Sequence, residues 1–142
     1  MLRGVATISI YAEDHAAASA WYTEVLGAEP YYRVPGYHEW RVGEHEDELG
    51  LIDAAWAPPN ALGEPGGAVV LWHVDDLEAA HARLLALGAT PREPVTERGE
   101  GFRTAVVVDP FGNLLGVMEN PHWLEVRARR GGAARPEAVG GA

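Results

Sequence analysis

The sequence predicts an α+β fold: two βαβββ modules in tandem, forming a cupped mixed sheet with the helices on its convex side. A repeated pattern is the first observation behind this. Ile8-Ser9-Ile10-Tyr11-Ala12-Glu13-Asp14 leads through an alanine-rich segment to Leu26-Gly27-Ala28 and ends in Glu48-Leu49-Gly50-Leu51-Ile52-Asp53. Val70-Leu71-Trp72-His73-Val74-Asp75-Asp76 leads likewise to Leu87-Gly88-Ala89 and ends in Leu114-Leu115-Gly116-Val117-Met118-Glu119. Asp14 thus matches Asp76, Gly27 matches Gly88 and Gly50 matches Gly116, which marks a duplicated module. The second observation is that each half changes period from strand to helix and back to strand. The third is that neither half can bury both faces of its own sheet, so the two must associate.

Taken in order, residues 5–12 alternate around Val5, Ile8 and Ile10, as a half-buried strand does. Asp14 is placed to cap a helix over 15–26, where Ala17, Trp21, Val25 and Leu26 recur at helical spacing before Gly27 stops it. Strands follow over 29–34, 37–42 and 48–53. Pro35-Gly36 turns the chain between the first two, and Glu44-His45-Glu46-Asp47 between the last two. That acidic run reads as a solvated hairpin tip, because it lacks the glycine and ligand spacing of a calcium loop. The second half repeats the order: a strand over 68–74, Asp75 and Glu78 in capping-box register, a helix over 77–87, then strands over 90–95, 102–108 and 113–119. Asp109-Pro110-Phe111-Gly112-Asn113 has the proline and glycine of a tight turn between the last two strands. Residues 1–126 therefore form one domain, with module 1 over 4–54, a Pro/Gly/Ala linker over 55–67 and module 2 over 68–121. Residues 127–142, rich in Arg, Gly and Ala, read as a flexible tail or an arm on a partner subunit.

Composition narrows the function. The chain has 142 residues, 21 acidic and 11 basic, for a formal charge of -10. Nucleic acid is excluded as a partner by the lack of a basic patch, whereas a cationic small ligand is attracted. There is no cysteine, which excludes thiolate metal sites and a cysteine nucleophile and suits a reducing cytoplasm. No apolar run has membrane-spanning length and the N-terminus does not read as a signal peptide, so no membrane association is expected. No Gly-x-Ser-x-Gly elbow and no glycine-rich phosphate loop is found.

Tyr11-Ala12-Glu13-Asp14, Trp21-Tyr22-Thr23-Glu24-Val25-Leu26-Gly27, Val74-Asp75-Asp76 and the Asp109–Asn113 turn, in this order, make the chain resemble the vicinal oxygen chelate superfamily over about residues 4–121. That superfamily includes glyoxalase I, extradiol dioxygenases, fosfomycin-resistance enzymes and bleomycin-resistance binding proteins. In its metal-dependent members, His, Gln or Glu side chains on the first and last strands of the modules hold a divalent ion. The matching positions here are Thr7, Val69, Gly50 and Gly116, a set that cannot make such a site. The resemblance therefore implies a protein without metal or other cofactor that binds a small organic ligand in its cup, in the manner of the bleomycin-resistance proteins. It also implies a homodimer.

Strand parity and the resemblance together give the expected ligand contacts: Thr7, Ser9, His38, Trp40, Glu48, Gly50, Trp56, Val69, Phe102, Thr104 and Gly116. Trp40, Trp56 and Phe102 would stack on or wall in the ligand and Glu48 would offset its charge. Two alternatives stay open. One is an enzyme of the glyoxalase and dioxygenase branch, with noncanonical ligands or a metal-free acid–base pair such as His38 with Glu48. The other is a cup filled by its own side chains and used only for association.

Overall fold

The computed structural model describes residues 1–59 and 61–132. In module 1, strand β1 (Thr7–Ala12) leads to helix α1 (His15–Leu26), then to strands β2 (Tyr32–Val34), β3 (Tyr37–Val42) and β4 (Asp47–Asp53). A single 3-10 turn, Ala54–Trp56, begins the linker. Module 2 has β5 (Leu71–His73), α2 (Leu77–Ala86), β6 (Thr90–Gly99), β7 (Phe102–Val108) and β8 (Leu114–Glu119), followed by a third helix, α3 (Pro121–Gly132). Among the described residues no helix is long and apolar enough to cross a membrane.

The helices start and stop where their chemistry dictates. Asp14 accepts the Ala17 amide at 3.0 Å, and Gly27 closes α1 in the left-handed region at φ 66. In module 2 the capping aspartate is Asp76, which accepts the Ala79 amide at 2.9 Å, and not Asp75 as its register with Glu78 suggests.

Each module contributes a four-stranded sheet, ordered β1-β4-β3-β2 and β5-β8-β7-β6, with the first pair parallel and the others antiparallel. Alternation then divides each sheet into two faces. Leu49, Leu51, Trp40 and Ala12 lie buried with Ala18 and Tyr22 of α1. Ala105, Val107, Leu115 and Val117 lie buried with Leu77 and Leu84 of α2. The opposite face of each sheet carries neither α1 nor α2.

The two cores meet at Trp21 and Trp72, which pack against both. Trp21 Nε1 donates to the Leu87 carbonyl at 2.8 Å, and Asn113 Nδ2 to the Tyr11 carbonyl at 2.9 Å. The Tyr22 hydroxyl donates to Asp109, a buried carboxylate that also accepts the backbone amides of Phe111 and Asn113 at 2.8 and 2.9 Å. Burial, reinforced by the Asp109 charge, pushes the Tyr22 phenol well above its ordinary value. The Asp-Pro-Phe-Gly-Asn segment is thus a hairpin turn and a junction between modules at once.

Several boundaries differ from the sequence reading, and the strand expected over 29–34 narrows to Tyr32–Val34. The strand expected over 68–74 narrows to Leu71–His73, and that over 90–95 runs on to Gly99 with bulges opposite β7. Residues 127–132, expected to belong to a tail, are the second half of α3, which continues through Gly132; residues 133–142 lie outside the described residues. Composition disfavoured that helix, and tertiary contacts at both of its ends override the low apolar content.

Candidate functional site

The open face of the first sheet is a network of tyrosines and carboxylates. Register pairs Thr7 with Glu48, Ser9 with Gly50, Gly50 with Glu39 and Glu48 with Arg41. Thr7 Oγ1 donates to Glu48 Oε1 at 3.3 Å, and both Nε and Nη2 of Arg41 reach Glu48 Oε2 at 3.3 Å. The Tyr31 hydroxyl sits between Glu48, 3.1 Å away, and Glu39, while Tyr37 donates to the other oxygen of Glu39. The Arg41 guanidinium lies over the Tyr31 ring, 4.2 Å from its centroid.

These contacts fix the protonation states. The Tyr31 hydroxyl, followed by Arg41 and Thr7, holds the Glu48 carboxyl below its ordinary range. Burial and then the Glu39 hydrogen bond push the Tyr37 phenol up to about 12, and hydrogen bonding to Glu39 raises that of Tyr31 further. At neutral pH the tyrosines are donors and Glu48 an acceptor, an arrangement suited to a cationic guest.

The open face of the second sheet is more apolar. Leu114, Gly116 and Met118 alternate along β8, with Val106 and Thr104 beside them on β7 and Leu71 and His73 on β5. Thr104 is buried, its Oγ1 accepting Arg98 Nε at 3.1 Å. Phe102 lies at the start of β7 and is half-buried.

The two matched glycines are not voids. A Cβ on Gly50 would meet the Tyr37 hydroxyl at 2.7 Å, and one on Gly116 would overlap the Leu71 side chain and meet the Val70 carbonyl at 3.0 Å. Neighbouring side chains lean into the space that glycine leaves. The absent side chains make room for protein atoms.

Several expected contacts are elsewhere. Trp40 is fully buried beneath α1, its Nε1 donating to the Ala28 carbonyl at 3.0 Å. His38 shares that helix-side face, where Nδ1 meets Ser19 Oγ at 2.6 Å and its ring stands edge-on to His15 at 4.7 Å. Burial first, then His15 and Arg33, lower the His38 pKa. His38 and Glu48 therefore occupy opposite faces and form no acid–base pair. The physical reason is that Trp40 pairs in register with Leu49 and must join the core, which turns Tyr37, Glu39 and Arg41 outward. Those three, with Tyr31, were missed; alternation relative to Glu48 and Gly50 carried the signal. Trp56 is mostly exposed and lies against Gly36 at the β2–β3 turn, while Val69 precedes β5 and is exposed.

A concavity of about 1260 Å³ lies between the free edge of β1, linker residues 61–68 and the β7–β8 turn. Of the expected contacts only Ser9 lines it, beside Tyr11, Glu13 and Asp14.

The superfamily's divalent ion does not fit these residues. Thr7 is engaged with Glu48, the two glycines offer no donor, and Val69 is aliphatic. Among the described residues no three His, Asp or Glu side chains are gathered as a metal-binding group.

The model of the Glyoxalase/Bleomycin resistance protein/Dioxygenase superfamily matches residues 4–117. No curated protein matches the chain. Among solved structures, a lactoylglutathione lyase from Agrobacterium tumefaciens is 25% identical with a TM-score of 0.65, covering 84% of this chain and 96% of its own. A glyoxalase-related enzyme from Fulvimarina pelagi is 22% identical with a TM-score of 0.69, covering 84% and 90%. A bleomycin resistance determinant encoded on transposon Tn5 is 24% identical with a TM-score of 0.60, covering 84% and 99%.

Proposed function

Starting from the chain's membership of the Glyoxalase/Bleomycin resistance protein/Dioxygenase superfamily, we propose that it is a metal-independent binding protein for a small organic cation. The observation that carries this reading is the open face of the first sheet, where Glu39 and Glu48 are ringed by Tyr31 and Tyr37. Arg41 already sits there as a cation over an aromatic ring and against a carboxylate. A ligand guanidinium or ammonium meets the same partners, gaining roughly 0.5–2 kcal/mol from each aromatic face in addition to charge pairing. The formal charge of -10 favours its approach.

The mechanism is stoichiometric capture. Tyr31 keeps Glu48 ionised, and Tyr31 and Tyr37 hold the two carboxylates in place, so little ordering is required when the ligand arrives. The bleomycin resistance determinant encoded on transposon Tn5, among the similar structures, supports this reading. We further propose a homodimer, because Tyr31, Tyr32, Val34, Val69 and Leu71 leave substantial apolar surface exposed.

Thermal-shift screening of the intact protein against a bleomycin-type glycopeptide, a cationic phenazine and a glutathione conjugate tests the assignment. The two cations should raise the melting temperature and the anionic conjugate should not, with Glu39→Gln/Glu48→Gln abolishing the shift. Stabilisation by the glutathione conjugate alone, or a divalent ion bound at unit stoichiometry, defeats it.

A further inference from the structure

The last helix touches both modules. Its first turn rests on the open face of the second sheet: the Trp123 ring stacks on His73 with centroids 4.2 Å apart and planes 10° from parallel. Its far end reaches the β3–β4 hairpin tip of module 1, where Arg127 Nη2 donates to Glu44 at 3.2 Å and Arg130 Nη1 to His45 Nδ1 at 2.5 Å. In all, α3 is 12 residues long, about 18 Å, and most of its side chains are exposed. Such an element belongs to the low-stability end of a fold.

Both ends are fastened by the same chemistry. At the start, the Asn120 amide donates to His73 Nδ1 at 3.2 Å; at the end, Arg130 donates to His45 Nδ1. An arginine and a backbone amide can only donate, so each imidazole nitrogen must be an unprotonated acceptor. The proton of neutral His73 is thereby placed on Nε2, which is buried, lacks hydrogen-bond geometry and lies 3.4 Å from Asp75 Oδ1.

We propose that α3 is a pH-released strap, latched at its two ends by the neutral imidazoles of His73 and His45 and freed when both take up a proton. Protonation converts each Nδ1 from acceptor to donor and removes both latches together. At His45, which lies in the acidic run of Glu44, Glu46 and Asp47, it also sets a cation against Arg130, while Glu44 is already paired with Arg127. At His73 the surrounding charges are Asp75 and Glu119; Glu119 is already engaged by Arg103 and the Leu77 amide. The Asp75 contact is made through Nε2 and does not restore the Asn120 bond at Nδ1. Release uncovers His73 and removes Pro121 and Leu124, one wall of the pocket of about 300 Å³ beside it. The device is independent of what the open faces bind.

Hydrogen exchange of the intact protein at pH 7.5 and 5.5, corrected for intrinsic rates, provides the test. Peptides from α3 should lose protection about tenfold or more at pH 5.5, as expected for two lost hydrogen bonds, while β7 and β8 peptides stay unchanged. Asparagine places an amide oxygen near the position of Nδ1, so His45→Asn/His73→Asn should make α3 protection equal at the two pH values within about twofold. Unchanged wild-type protection, or opening of α3 in the double variant at pH 5.5, overturns the proposal. Should the double variant fold poorly, an NMR titration of the wild type substitutes. The Trp123 indole resonance must then follow the His45 and His73 ring resonances, and independent titration overturns it equally.

Discussion

The open faces of the two modules descend from one pattern and have diverged in opposite directions. In module 1 the face is polar and held together by hydrogen bonds among Tyr31, Tyr37, Glu39, Arg41 and Glu48. In module 2 the matching face carries Leu71, Val106, Leu114 and Met118, and α3 lays Trp123 across its edge. The difference sets the proposed recognition in module 1. A duplicated fold supplies two platforms, and specialising one for charge leaves the other free to be covered.

The largest test of this contrast lies beneath the faces. Trp40→Ala in module 1 and Leu77→Ala in module 2 each empty a fully buried site, at about 3–5 and 2–5 kcal/mol respectively. Urea unfolding followed by fluorescence and by circular dichroism should show one coincident transition for both variants, because the cores share Trp21 and Trp72. Separate transitions would make the modules independent.

The matched glycines should respond unequally. Gly116→Ala drives a Cβ into Leu71 and toward the backbone carbonyl of Val70, costing about 1–3 kcal/mol. At Gly50 the obstacle is the hydroxyl end of Tyr37, which can swing away, so Gly50→Ala should stay within about 1 kcal/mol of wild type. Thermal melts of the two variants decide it, and equal losses would erase the distinction. Tyr22→Phe, at the junction, leaves Asp109 one donor short and should cost about 1–2 kcal/mol in the same assay.

The smallest effects are in pH dependence, and both originate in module 1. The Glu48 pKa is lowered in the fold, so its contribution is present above the ordinary value of 4.5 and is lost as pH falls through the folded value. Glu48→Gln should flatten the stability profile below pH 4.5. The His38 pKa is also lowered, so the unfolded chain takes the proton first and stability declines as pH falls below 6.5. His38→Asn, which offers Ser19 an acceptor, should flatten the profile just below pH 6.5 and leave the acid limb to Glu48.

Much of the fold was legible because the repeat and its caps are local signals. Asp14, Gly27 and the Asp109–Asn113 turn act within a few residues of themselves. The site was only half legible. Thr7, Ser9, Glu48 and Gly50 lie on the open face of the first sheet, while Phe102, Thr104 and Gly116 keep their expected strand register in the second. His38 and Trp40 went astray because alternation says which residues share a face without saying which face is covered. Trp40 was taken as a platform, and its pairing with Leu49 makes it core. Tyr31 was hidden in a segment that reads as strand but lies just outside β2, and α3 depends on partners distant in the chain.

Asp109 gives the duplication a direction. The position matching it in the first half is Gly43, which has no carboxylate, so the β3–β4 hairpin has no counterpart of the Asp109 clasp on the first helix of the other module. A chain of two identical halves would have two such clasps or none. With a single clasp, the halves have lost their interchangeability: neither could be replaced by a copy of the other without either orphaning the Tyr22 phenol in an apolar core or leaving Asp109 short of its tyrosine partner.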